Sequence, residues 1–282
     1  MNSIRRQLGL SMIELLIALA ISSFLILGIT QVYLDNKRNY IFQQNQAGNL
    51  ENSRFAALII SDYLGKAGYR RTPSALLDTV FPTRPAADGC LAFGAGHPVT
   101  ALSPSEGVGF CIRYQPLVSG ELDCQGAASP VVYDDAFPSG SPDESDLTVL
   151  AFKYEPSTDN QLQEGRLLCK SLNAASPQYG ELLRGIADFR LDFGVGNTDL
   201  LEKEIITFIP QSDWSAASGA IRSVRYALLL ASRPGQREGD SKVLADWLVE
   251  ASAETSARLQ EADNNRAYQI AGSTQTIRNF MP

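Results

Sequence analysis

One histidine, His97, serves a chain of 282 residues, and that scarcity removes most of the common catalytic designs at once. A histidine-based triad would rest on it alone, and the sequence contains no GxSxG elbow, no GxxxxGK phosphate loop and no HExxH metal helix. His97 itself sits in GAGHPV, which reads as a loop. Basic residues are also in deficit: 24 Lys and Arg face 31 Asp and Glu, for a net charge of −7. Arg5 and Arg6 precede a long apolar segment, so the remainder of the chain is more acidic still. Phosphate backbones are held chiefly by Lys and Arg that displace condensed counterions, so no nucleic acid is expected as a partner.

Cysteine is sparse as well. Cys90, Cys111, Cys124 and Cys169 form no CxxC pair, and one histidine cannot complete a usual zinc site. An even count beyond an export-type segment predicts two disulfides. Three connectivities are open, and pairing Cys90 with Cys111 and Cys124 with Cys169 closes the shorter loops. Three Gly-x-Gly pairs, at Gly94 and Gly96, Gly107 and Gly109, and Gly194 and Gly196, lack the third glycine and the following helix of a phosphate cradle, and read as turns. Asp134, Asp135, Asp143, Glu144 and Asp146 depart from the calcium-loop spacing and are interrupted by Pro138 and Pro142, so a solvated loop is the reading. No cofactor and no metal is called for, and the chain is not expected to be an enzyme.

What the sequence does have is concentrated at the amino terminus. Residues 8–29 read LGLSMIELLIALAISSFLILGI, with one charge. At about 1.5 Å per helical residue this crosses a hydrocarbon core of about 30 Å. Arg5 and Arg6 lie before it and no comparable basic cluster follows, which places the short leader in the cytoplasm and the rest outside. Ala18-Leu19-Ala20 offers a secretory cleavage site. Against that reading, Glu14 interrupts the apolar run, the run continues to Ile29, and a helical pattern follows without a break. A carboxylate inside an apolar helix costs about 2.5 to 3.5 kcal/mol near the bilayer centre, less towards the interface, and so implies a partner. No Lys or Arg lies one turn away. The partner must be a backbone group, another chain or a newly made amine.

The string RRQLGLSMIELLIALAISSFLILGI resembles the leader and first helix of type IV pilins and of type II secretion pseudopilins: a short basic leader ending in glycine, a cut after it, and glutamate as fifth residue of the new chain. By position, the resemblance implies prepilin peptidase cleavage between Gly9 and Leu10, N-methylation of Leu10, and subunit assembly through Glu14, whose charge would meet the amine of a neighbour. Leu10 stands where Phe is usual in the family. A buried charge pair costs less than two separated buried charges.

From 31 to 66 the chain is polar but free of proline, and Phe55, Ile59 and Tyr63 recur at helical spacing with Leu58 alongside. This predicts the same helix continuing and turning that stripe onto a globular domain. Gly65, Gly68 and Pro73 are its stop signals. No heptad persists long enough for a coiled coil. After Pro73 short apolar runs alternate with Gly, Pro, Ser and Asp, the pattern of antiparallel strands. Strands are expected over 146–154, over 189–195 as a half-buried strand, over 203–209, and over 221–232, the last apolar enough to be central. The tail segments IRSVRYALLLASRP and RAYQIAGSTQTIRNF resemble the closing strands of the larger minor pilins and of the J-type pseudopilins.

The expected fold is α+β, a long N-terminal transmembrane and amphipathic helix packed on a mainly antiparallel β-sheet domain, as the resemblance to the type IV pilin fold also implies. The expected organisation is a cleaved leader over 1–9, a transmembrane and assembly helix over 10–30, its amphipathic continuation over 31–67 and an extracytoplasmic β-rich domain over 68–282. By resemblance, the function is that of a minor pilin in a priming or tip complex that initiates assembly for twitching motility and attachment. Its partners would then be other minor pilins, the major pilin, prepilin peptidase, the inner-membrane assembly platform and, through 10–30, the lipid bilayer. Its location would be the inner membrane, domain in the periplasm, then the pilus surface. A secretion pseudopilin shares the same helix, and an anchored periplasmic binding module that never polymerises is the alternative of another class. The stretch 73–142 has no counterpart in a small major pilin and could contact a surface.

Overall fold

A proline-free run of 55 residues folds as one helix, α1, from Met12 to Lys66. The structure is a computed structural model and describes residues 11–135, 144–158 and 161–280. The chain divides into two units, 1–47 and 48–282, and α1 contributes to both. In the first unit every side chain from Ser11 to Tyr40 is exposed, Phe24 and Leu27 among them at 78% and 67%. The helix passes through Gly65 and ends at Lys66, and the chain turns away at Gly68, whose φ of 74° is one that a residue without Cβ adopts freely.

The second unit holds two antiparallel sheets. The first orders its strands β1-β2-β3-β4-β5: β1 is Val99–Ala101, β2 Gly109–Tyr114, β3 Thr148–Glu155, β4 Arg166–Ser171 and β5 Gly180–Arg184. The second is β7-β6-β8-β9, with β6 Ile186–Gly196, β7 Thr207–Pro210, β8 Ala220–Ala231 and β9 Tyr268–Thr276. The expected sheet is therefore two sheets, and 73–142 is no mere appendage, since β1 and β2 lie in it and are buried throughout. β8 is central, as its apolar content predicts. Its alternate residues feed two cores: Val224, Tyr226, Leu228 and Leu230 join the main one, while Leu229 and Ala231 pack with Leu244, Trp247 and Leu259 in a second. β7 is shorter than the expected 203–209, because its partner β6 ends at Gly196, one residue past the Val195–Thr207 pair.

The helix face turned inward is only partly the expected one: Ile59 and Tyr63 are half-buried, with the Tyr63 ring 5.1 Å from that of Phe152, but they lie at the margin of the seam rather than at its centre. Asn49, Ser53, Ala56, Ile60 and Leu64 are buried, whereas Phe55 and Leu58 are 44% and 66% exposed. Small Ser53 and Ala56 let the helix backbone approach the domain, and three bonds fasten this close seam: Asn52 Nδ2 donates to Arg184 O at 3.0 Å, Gln275 Nε2 to Ser61 Oγ at 2.9 Å, and Asn279 Nδ2 to Gly65 O at 2.8 Å. Bulk at Phe55 and Leu58 would hold the sheet away.

Two helices had no place in the strand pattern, α3 at Lys242–Leu248 and α4 at Ala253–Glu261, besides the single turn α2 at Leu77–Val80. α3 and α4 each have an N-terminal amide capped by a serine: Ser241 Oγ accepts from Leu244 N, Ser252 Oγ from Thr255 N. They cover the second core, and Asp188 ties them to β6 by accepting from Trp247 Nε1 at 2.8 Å and Arg258 Nη2 at 2.9 Å.

Candidate assembly site

Glu14 lies in the first turn of α1, the one charge between Met12 and Leu34. Its Oε2 accepts from Ser11 N at 3.4 Å, a long local contact at the positive end of the helix. Among the described residues no cation pairs with it. The other polar side chains of this stretch are satisfied within the helix: the hydroxyls of Ser22, Ser23 and Thr30 donate to the carbonyls four residues earlier, at 2.7, 2.8 and 2.7 Å. In lipid that closure matters, because an unpaired polar group has no water to turn to. By length and composition α1 can cross a membrane, and among the described residues nothing covers its apolar part. Among the described residues, then, a carboxylate without a cation stands at one end of an uncovered apolar helix. Gly9 and Leu10 lie outside the described residues.

The domain is built for rigidity. Cys90 bonds Cys111 and Cys124 bonds Cys169. Buried arginines clamp the loops, a device the sequence reading missed. The fully buried Arg113 donates through Nε to His97 O at 2.9 Å, through Nη1 to Pro82 O at 2.5 Å and through Nη2 to Gly94 O at 2.8 Å and Phe81 O at 3.1 Å, so one guanidinium holds four carbonyls of the 81–97 loop. Arg222 does the same for Asn197 O and Asp199 O at 3.0 and 2.6 Å. The signal was there: a single arginine inside GFCIRY, and the inward-facing one of two in IRSVRYALLLA, each in a strand otherwise apolar or small.

His97 is thus part of a clamped loop, its ring edge-on to Phe280 at 5.9 Å between centroids. Burial first, then the charges of Arg113 and Arg222, hold its imidazole below the usual range. Of the Gly-x-Gly pairs, Gly96 and Gly107 do adopt turn conformations with φ of 76° and 100°. Gly109, Gly194 and Gly196 are strand residues instead, and at Gly109 a Cβ would come within 2.1 Å of Phe152 O, so tight packing rather than a turn explains them. Among the described residues no three His, Cys, Asp or Glu side chains gather to hold a metal; Asp143, with Pro138 and Pro142, lies outside them. A groove across the outer face of the second sheet carries charges already paired, Arg225 with Asp192 and Arg190 with Glu250.

A membrane-length apolar helix continuous with a helix packed on an antiparallel, two-sheet α+β domain is the architecture of a pilin-like subunit, and its apolar part fits a membrane anchor. Residues 4–30 match the Prokaryotic N-terminal methylation motif, and residues 155–279 match the family described as Type IV Pilus-assembly protein W. The two matches support a type IV minor pilin of that family, a structural protein whose N-terminal helix fits an inner-membrane anchor. The second match begins at the end of β3 and takes in β4 to β9 with α3 and α4. Comparison with curated proteins finds no match. Among solved structures, a type IV-like pilin from Thermus thermophilus is similar over 84% of this chain and 98% of its own, at 13% identity and a TM-score of 0.39; a likeness of that size informs nothing further.

Proposed function

We propose that this chain is a minor subunit of a type IV pilus that joins other minor pilins in a small complex from which filament assembly starts. The reading takes residues 1–9 as a leader removed by prepilin peptidase between Gly9 and Leu10, with the new Leu10 amine methylated. It takes 10–30 as the bilayer and assembly segment, 31–67 as its continuation and 68–282 as the extracytoplasmic domain. The observation that carries it is the apolar stretch of α1, uncovered among the described residues, with one carboxylate, Glu14, that no cation among those residues meets. An isolated anchor gains nothing from a lone charge near lipid. A subunit that stacks beside copies of the same helix does, because the ammonium made by cleavage neutralises the carboxylate of its neighbour.

The role is structural rather than catalytic. The leader would lie in the cytoplasm and the domain in the periplasm until the subunit enters a filament that serves motility and attachment. The test is processing and then assembly. Gly9→Arg should yield an uncleaved, membrane-retained precursor, read by intact-mass measurement, and native material should begin at Leu10. Protein that begins at Met1, or after Ala20, would end this reading. Loss of twitching with secretion intact distinguishes a pilus subunit from a secretion pseudopilin.

A further inference from the structure

Two open sheets have four edges, and three of them are blunted against further pairing. β1 is three residues long and is covered by Leu91 N donating to Ala101 O at 3.0 Å. β5 carries Glu181 and Arg184 and meets β4 through a register shift at Leu167/Leu168. β7 is four residues long and ends in Pro210. Short strands, edge charges, irregular register and proline are the usual devices that keep an edge from recruiting another chain.

β9 has none of these, and α3, which packs against it through Tyr268, makes no backbone bond to it among the described residues. Its nine residues, YQIAGSTQT, include no charged side chain and no proline, and they pair with β8 in unbroken register from Tyr268↔Ala231 to Thr276↔Ser223. Among the described residues, the backbone groups of β9 that face away from β8 bond to no other backbone group. No residue of β9 is fully buried. We propose that this edge accepts an extended, uncharged segment of a different subunit by strand addition.

Exposed apolar side chains lie near β9 on both faces of its sheet. Ile270 is 46% exposed on the face away from α1. On the other face Leu58, 66% exposed, lies one helical turn before Ser61, the residue that Gln275 reaches from β9. A strand laid beside β9 thus finds unpaired donors and acceptors along its length, with an apolar contact above and below. A second copy of this chain is the wrong occupant. Pairing β9 antiparallel to itself about an axis normal to the sheet reverses every direction in the sheet plane. The two α1 segments over 48–66, fixed to β9 and the residues after it by the Ser61 and Gly65 bonds, would then run in opposite senses, whereas subunits anchored by the same helix enter a bilayer in one sense. The choice of another subunit as partner rests on the filament reading above; the open edge does not.

The test places a photo-cross-linking phenylalanine derivative at position 270, 274 or 16 of the full chain, in cells that assemble the filament. Positions 270 and 274 should label one segment of one other subunit, at sites about four residues apart, because paired strands advance together. Thr274→Lys should abolish the label from 270 and spare that from 16. Labels scattered over a helix, labels on a second copy, or a label from 270 that survives Thr274→Lys would each overturn strand addition. Labelling of pilins from 16 with none from 270 or 274 overturns it too, and leaves the filament reading standing. Silence from all three positions removes both.

Discussion

Two alanine substitutions, two residues apart on α1, separate the helix face that the structure buries from the one that its spacing advertises. Ile60 is fully buried in the main core and Leu58 is 66% exposed. Both changes remove a branched aliphatic side chain and both favour the helix slightly, so propensity cancels between them. Ile60→Ala leaves a cavity against the sheets and should cost about 3 kcal/mol, within the range of about 2 to 5 for such truncations. Leu58→Ala should change stability by no more than about 0.5 kcal/mol, as surface changes do. With a urea slope of about 3 kcal/mol/M, the midpoint for Ile60→Ala moves down by about 1 M while that for Leu58→Ala stays in place. Trp214 and Trp247, both buried, report the unfolding of the full chain in detergent by fluorescence. Equal losses, or a larger loss at Leu58, would refute the packing described and return Phe55 and Leu58 to the inner face.

Other outcomes follow from the clamps and cross-links. Arg258→Ala strands the buried Asp188 carboxylate, which burial already pushes above its usual range, and should cost about 3 kcal/mol at neutral pH; acidification, which neutralises Asp188, should return part of that in urea titrations. Because the His97 imidazole is held below its ordinary 6.5, the unfolded chain takes up that proton first, and stability should fall as pH drops through 6.5. His97→Phe should flatten this slope, and an unchanged slope would exclude His97 as its source. Replacing Cys124 and Cys169 together by serine opens a loop with a sequence separation of 45 and should lower stability by about 4 kcal/mol on chain-entropy grounds, measured by thermal unfolding.

The amino-terminal helix and the unusual position of Glu14 within it are written locally. Length, apolar run and one misplaced charge depend on the solvent that the segment enters, not on distant contacts, so the sequence carries them whole. β6 and β8 were legible for the same kind of reason, since a strand buried on one or both faces announces itself by its own alternation. α3 and α4 were marked by Ser241 and Ser252, but they are short and earn stability only by covering β8, so their pattern is faint.

Only the tertiary structure decided which stripe of α1 turns inward. Phe55, Ile59 and Tyr63 repeat at helical spacing just as Ser53, Ala56, Ile60 and Leu64 do, and the choice fell to the seam where small residues allow close approach and where Asn52 and Ser61 meet the sheet. The same holds for Arg113, whose burial makes sense once four carbonyls from a distant loop converge on it. It holds as well for the open edge of β9, because an edge is a property of strand order, and strand order is set by pairings across the chain rather than by any segment alone.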